Sequence, residues 1–155
     1  MKNFLNGFFL LGFCLMVPLS LSACSDSVYA GTVIKPDSVV KVHDGDTFSV
    51  NIAGCPEVLC QALSVRIKGI DAPEMRGKCS QETAGAVIAK KYLSDQMLSA
   101  KDIELRNPSR DKYFRLNADL FIDGRDIGQD MIIKGMARTY TGGKRAGWCN
   151  TSNTV

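Results

Sequence analysis

The stretch Val65-Arg66-Ile67-Lys68-Gly69-Ile70-Asp71-Ala72-Pro73-Glu74 holds the residues of this chain best suited to chemistry. Apolar residues alternate with Arg66 and Lys68 in a strand-like run that breaks at Asp71-Ala72-Pro73, because proline restricts the residue before it and cannot donate to a sheet ladder. An arginine is thereby fixed near Asp71 and Glu74 at a strand's end. Such a set suits cleavage of a phosphodiester: one carboxylate can hold a metal ion, another can activate water, and a guanidinium can grip the charged phosphoryl group. Two further segments carry matching residue types. Asp44-Gly45-Asp46-Thr47 offers more carboxylates, and Asp111-Lys112-Tyr113-Phe114-Arg115 offers cations beside an aromatic ring. Each has a plainer reading when taken singly: Asp-Gly is a hairpin turn, Asp-Ala-Pro-Glu is a solvated loop, and Lys112 to Arg115 is an exposed lead into a strand. His43, the sole histidine, needs no role beyond a strand or turn position.

The positioning elements follow from periodicity and punctuation. Residues 31–35 and 38–43 alternate like strands around Pro36, and Asp44-Gly45 turns the chain into a strand over 47–52. A loop over 54–61 contains Pro56 and two cysteines, and a strand follows over 62–70. A helix is predicted from Ser80 to about Ser99, with Ala84, Val87 or Ile88, Ala89, Tyr92 or Leu93, and Met97 near helical spacing. Ile103 to Leu105 reads as a short strand, Asn107-Pro108-Ser109 as a loop, and Phe114, Leu116, Ala118, Leu120 and Ile122 as alternating strand positions. Asp126, with Gln129 three residues on, resembles a helix start, and Gly135 a left-handed end for a helix over 127–134. These elements make an α+β domain around a small five-stranded β-barrel, with two helices packed on it.

At 155 residues, 45% hydrophobic and 23% charged, the chain reads as one globular domain, and no second is expected. Lys2 followed by an uncharged apolar stretch over 4–23 reads as a secretory signal. Leu21-Ser22-Ala23-Cys24 looks like a lipobox, which would lipidate Cys24 and attach the protein to a membrane; cleavage after Ala30 is the alternative. Both make the mature protein an exported one, outer-membrane lipoprotein or periplasmic and secreted. The expected organisation is a signal over 1–23, a domain over 31–149 and a tail over 150–155. Cys55, Cys60, Cys79 and Cys149 then form an even set in an oxidising compartment. Of the three pairings allowed, Cys55 with Cys60 and Cys79 with Cys149 is preferred, and structural zinc is the weaker rival. A net charge of +3 does not by itself demand a polyanionic partner, and the cations at Arg110, Lys112 and Arg115, or at Lys134, Arg138, Lys144 and Arg145, read alone as solvated faces.

Taken together, Asp46-Thr47, Arg66, Asp71-Ala72-Pro73-Glu74, Asp111-Lys112-Tyr113-Phe114-Arg115 and Gly135-Met136-Ala137 resemble the staphylococcal nuclease family in identity and in order, from about Val33 to Tyr140. The resemblance implies an OB-fold-like barrel that hydrolyses DNA and RNA with calcium. It implies metal ligation by Asp46, Asp71 and the backbone carbonyl of Ala72, where the archetype has threonine. Glu74 matches the family's general base, Arg66 and Arg115 its phosphate-gripping arginines, and Lys112, Tyr113 and Tyr140 its substrate contacts. The implied products carry a 3′-phosphate and a 5′-hydroxyl. Asp44 is implied less firmly, as a carboxylate orienting metal-bound water. The chain departs from the family in the loop bearing Cys55 and Cys60, in the little room for a final helix, and in having Tyr140 where the archetype has two tyrosines; Trp148 is a candidate second stacking ring. A non-catalytic binding module or a structural envelope lipoprotein is the alternative, and no protein partner is expected.

Overall fold

The computed structural model describes residues 31–149. The signal expected over 1–23, Cys24 and the tail expected over 150–155 lie outside the described residues. The chain runs β1 (Val33–Ile34), β2 (Ser38–Val42), β3 (Thr47–Asn51), α1 (Glu57–Cys60), β4 (Leu63–Ile67), β5 (Ile70–Asp71), α2 (Ser80–Leu98), β6 (Ile103–Arg110), β7 (Leu116–Ile122), β8 (Arg125–Asp126), α3 (Ile127–Ile133) and β9 (Arg138–Thr139). Both helices and the α+β class follow the sequence expectation.

The main sheet has the order β1-β6-β7-β4-β3-β2, with β8 beside β7. Its two edges, β1 on β6 and β2 on β3, belong to one chain segment in which only Lys35, Pro36 and Asp37 intervene. So short a link cannot span an open sheet, and the sheet therefore curls shut into a barrel. Pro36, which has no N–H to give a ladder, sits where the segment passes from one edge to the other. Strand β7 buries alternate residues, Leu116, Ala118, Leu120 and Ile122, as a half-buried strand should. With Phe48, Val50, Val65, Ile67 and Leu105 they fill the barrel, and Leu93, Ile127 and Met131 seal it from α2 and α3.

Four local differences from the sequence reading have physical causes. The 54–61 loop contains the one-turn helix α1, whose Cys60 N–H reaches the Pro56 carbonyl at 3.2 Å. Strand β6 runs through Asn107-Pro108 as a bulge: the register shifts between Arg106 and Ser109, and Asn107 takes a φ of 50°. Phe114 does not join β7 but turns the chain at φ 64°, 81% exposed. Helix α2 buries Ala86, Ala89, Leu93 and Met97, leaving Val87 and Ile88 exposed. Small residues face inward there because the 44–46 loop passes so close that a Cβ on Gly45 would lie 2.7 Å from the Ala89 Cβ and 2.9 Å from the Ala72 Cβ.

Helix α3 starts on Asp126, whose Oδ1 accepts from the Gln129 N–H at 3.0 Å, and the chain leaves it through Gly135 at φ 68°. Disulfides join Cys55 to Cys60 and Cys79 to Cys149. All four thiols are consumed, which removes the ligands that structural zinc would need.

Candidate active site

Three adjacent strands bring the acidic and basic residues to one end of the barrel. Pairing of β3 with β4 sets Thr47 opposite Arg66, and parallel pairing of β4 with β7 sets Arg66 opposite Asn117. Asp46 just before β3, Arg66 near the end of β4 and Arg115 just before β7 therefore share an end. The Gly69 turn, at φ 74°, then doubles the chain back so that β5 delivers Asp71 to the same place, paired with Arg138 of β9.

Asp46, Arg66 and Asp71 are each less than a tenth exposed. An Arg66 Nη1 ion pair reaches Asp46 Oδ1, which also accepts from the Thr47 hydroxyl at 2.9 Å. Asp46 Oδ2 accepts the Ala72 N–H at 2.9 Å, and Arg66 Nη2 donates to the Ile70 carbonyl at 3.0 Å while lying 3.9 Å from Asp71 Oδ1. Buried charges persist only when paired and hydrogen-bonded, and breaking such a pair costs about 3–5 kcal/mol. Asp71 Oδ1 is the exception: it is buried yet accepts no hydrogen bond. A buried carboxylate oxygen with no hydrogen bond, close to the second carboxylate of Asp46, is the hard-oxygen chemistry that suits a divalent cation. Burial first, and then the charge of Asp46, raise the Asp44 carboxyl to about 6; its Oδ1 faces the Asp46 N–H at 3.3 Å. His43 is hydrogen-bonded to Ser49 Oγ at 2.7 Å.

Arg115 is held by its own turn. Asp111 Oδ2 accepts from Arg115 Nε at 2.8 Å, and Oδ1 accepts the Arg115 and Tyr113 N–H groups at 3.0 and 2.8 Å. Burial alone would raise the Asp111 carboxyl, but these bonds draw it below its ordinary value. Arg66, Lys112, Tyr113, Arg115 and Tyr140 line one cleft of about 530 Å³ together with Arg145. Lys112 and Arg115 flank the Tyr113 ring at 5.0 and 5.4 Å.

Glu74 sits at the rim, half exposed, in an ion pair with Arg145 Nη1. Arg145 Nε lies 3.1 Å from Asp71 Oδ1, and Arg138 Nη2 3.5 Å from Asp71 Oδ2. Burial pulls the Arg145 guanidinium down, but Glu74 and Asp71 more than offset it and keep it charged. From sequence, Arg138 and Arg145 read as a solvated face, and no local signal ties them to Asp71 and Glu74. Trp148 does not stack in the cleft: its ring lies under the Arg138 guanidinium at 3.9 Å, and its Nε1–H donates to Asp71 Oδ2 at 3.2 Å. All nine residues expected at the site thus gather around one end of the barrel.

That arrangement is a closed barrel carrying a buried acid–arginine set at one end. The chain belongs to the staphylococcal nuclease homologue family, whose model matches residues 64–150. Arg66, Asp71, Glu74 and Arg115 fall inside that match, and Asp46 joins them through the geometry above. The chain is 31% identical over 136 residues to an "Uncharacterized endonuclease" of Haemophilus influenzae, covering 88% of this chain and 66% of that protein. It is 36% identical over 89 residues to a "Probable endonuclease" of Schizosaccharomyces pombe, covering 53% of this chain and 38% of that protein. A "Probable staphylococcal-like nuclease" of Oryza sativa is 31% identical over 108 residues, 69% of this chain and 30% of the rice protein. The chain thus spans two thirds or less of each relative.

Proposed function

We propose that the protein is an exported, calcium-dependent nuclease that hydrolyses phosphodiester bonds in DNA, RNA or both, leaving a 3′-phosphate and a 5′-hydroxyl. The observation that carries this reading is the buried Asp46–Arg66–Asp71 set, in which Asp71 Oδ1 accepts no hydrogen bond and is faced only by guanidinium groups, opening onto a cleft that Arg115 also lines. The family uses a divalent metal; calcium is the reading favoured by carboxylate and carbonyl oxygens with no nitrogen or sulfur donor among the residues assigned to it. Asp46, Asp71 and the Ala72 carbonyl would hold the ion. When bound it would supply positive charge beside the phosphoryl oxygens.

The chain's own residues do the rest. A phosphodiester repels hydroxide through its negative charge, and Arg66 and Arg115 offset that repulsion with two fixed guanidinium groups, more strongly as charge develops. Glu74, half exposed at the rim, takes a proton from the attacking water. Lys112, Tyr113 and Tyr140 receive the flanking strand, through a cation for phosphate and rings for bases. These contacts address phosphate and stacking, so the enzyme cuts with little sequence preference. Export is supported by the Lys2-led apolar stretch, and attachment through lipidated Cys24 by Leu21-Ser22-Ala23-Cys24; mass spectrometry of the mature N-terminus tests both.

Replacing Arg115 with alanine should lower turnover of single-stranded DNA by about 100-fold or more. Glu74→Gln should abolish most turnover while leaving the fold intact. Full activity in either variant would remove that residue from the mechanism. A wild-type protein that binds DNA and cuts nothing would instead identify a non-catalytic binding module.

A further inference from the structure

Residues 140–149 form a strap that is pinned to the site at both ends. The Tyr140 hydroxyl donates to the Gly143 carbonyl at 2.7 Å, and Tyr140 N–H to the Gly69 carbonyl at 2.8 Å. Arg138 donates to the Ala146 and Gly147 carbonyls at 2.7 and 3.1 Å and covers the Trp148 ring, whose N–H is itself bound to Asp71. Cys149 is then tied to Cys79 at the start of α2. Between these anchors the strap carries one side chain into the cleft, Arg145. A solvated surface arginine needs no such framework.

We propose that the strap presents Arg145 as a third phosphate-gripping guanidinium, beside Arg66 and Arg115, for the strand bound in the cleft. The proposal deepens the nuclease reading and takes from it the identity of the anion. Arg145 faces Asp71 and Glu74 just as Arg66 faces Asp46, so each of these cations is charge-balanced by a carboxylate. A planar guanidinium fork can exchange such a carboxylate for a phosphate of the same bidentate geometry. Lined by Arg66, Lys112, Arg115 and Arg145, the cleft offers cations along a strand rather than at a single point.

The rival on the same geometry is that Arg145 only plugs the acidic cluster. Binding separates the two. A fluorescein-labelled, phosphorothioate-substituted single-stranded DNA oligonucleotide, slow to be cut, is titrated into the full-length protein in calcium, and anisotropy is followed against salt. Arg145→Ala should weaken binding about tenfold, as expected for loss of one charge-assisted contact. It should also reduce the salt slope by about 0.7, the value for one phosphate contact on a single strand. Arg145→Lys should recover most of the slope and part of the affinity, a rescue that a purely structural role would not give. In turnover, KM should rise more than kcat falls. Unchanged binding with an unchanged slope overturns the proposal, as does tighter binding by Arg145→Ala, which is the plug's signature. Should the wild type bind but not cut, the nuclease reading fails while the slope still decides the role of Arg145.

Discussion

Asp111 shows how a residue outside the reacting set can govern it. Its two oxygens hold the Arg115 side chain and backbone and the Tyr113 N–H, so the cleft's second arginine is aimed by a carboxylate on its own turn. Because the folded carboxyl is drawn below its ordinary value, the stabilisation is complete above the unfolded aspartate value of about 3.9 and is lost as pH falls through the lower folded one. Thermal melts taken downward from about pH 5 should therefore show wild type losing stability relative to Asp111→Asn, with the gap closing in acid. Parallel melting curves across that range would mean that the pair contributes nothing. At the same scale, the convergence of Asp46, Arg66, Asp71, Glu74 and Arg115 on one end of the barrel was legible from their types and order. Arg145 was not. Its partner Glu74 lies 71 residues earlier, and Lys144-Arg145 after two glycines has the composition of any solvated loop.

At the scale of elements, the loop over 44–46 depends on the helix behind it. Gly45 is required there not for an unusual φ but for closeness, since the Ala89 and Ala72 methyl groups occupy the place its side chain would take. Gly45→Ala should destabilise the fold by about 1–3 kcal/mol through overpacking and displace Asp46, so calorimetry should show weaker calcium binding. Calcium affinity and stability equal to wild type would show that the loop has slack. The same crowding explains where the helix reading went astray: hydrophobicity favoured Ile88 and Val87 as inward residues, whereas close approach admits only Ala86 and Ala89 at that height. The long strands, α2, α3 and the Asp126 cap were legible from period and capping. Strand β6 was misjudged because Asn107-Pro108 is turn chemistry that the sheet absorbs as a bulge.

On the scale of the whole molecule, closure of the barrel by residues 33–42 and closure of the strap by Cys79–Cys149 hold the two ends of the described residues on one framework. That disulfide spans 70 residues, for which the chain-entropy account gives about 4 kcal/mol of stabilisation. The Cys79→Ser/Cys149→Ser variant should melt well below wild type; equal melting temperatures would deny the bridge a stabilising role. The central claim concerns the set at the barrel's end, and its most direct test is cleavage of a defined, end-labelled single-stranded DNA by the purified protein with calcium or with chelator, read by the product termini. We predict cleavage in calcium alone, with 3′-phosphate and 5′-hydroxyl ends. Equal cutting in chelator, or no cutting in calcium by a folded protein, would contradict the account.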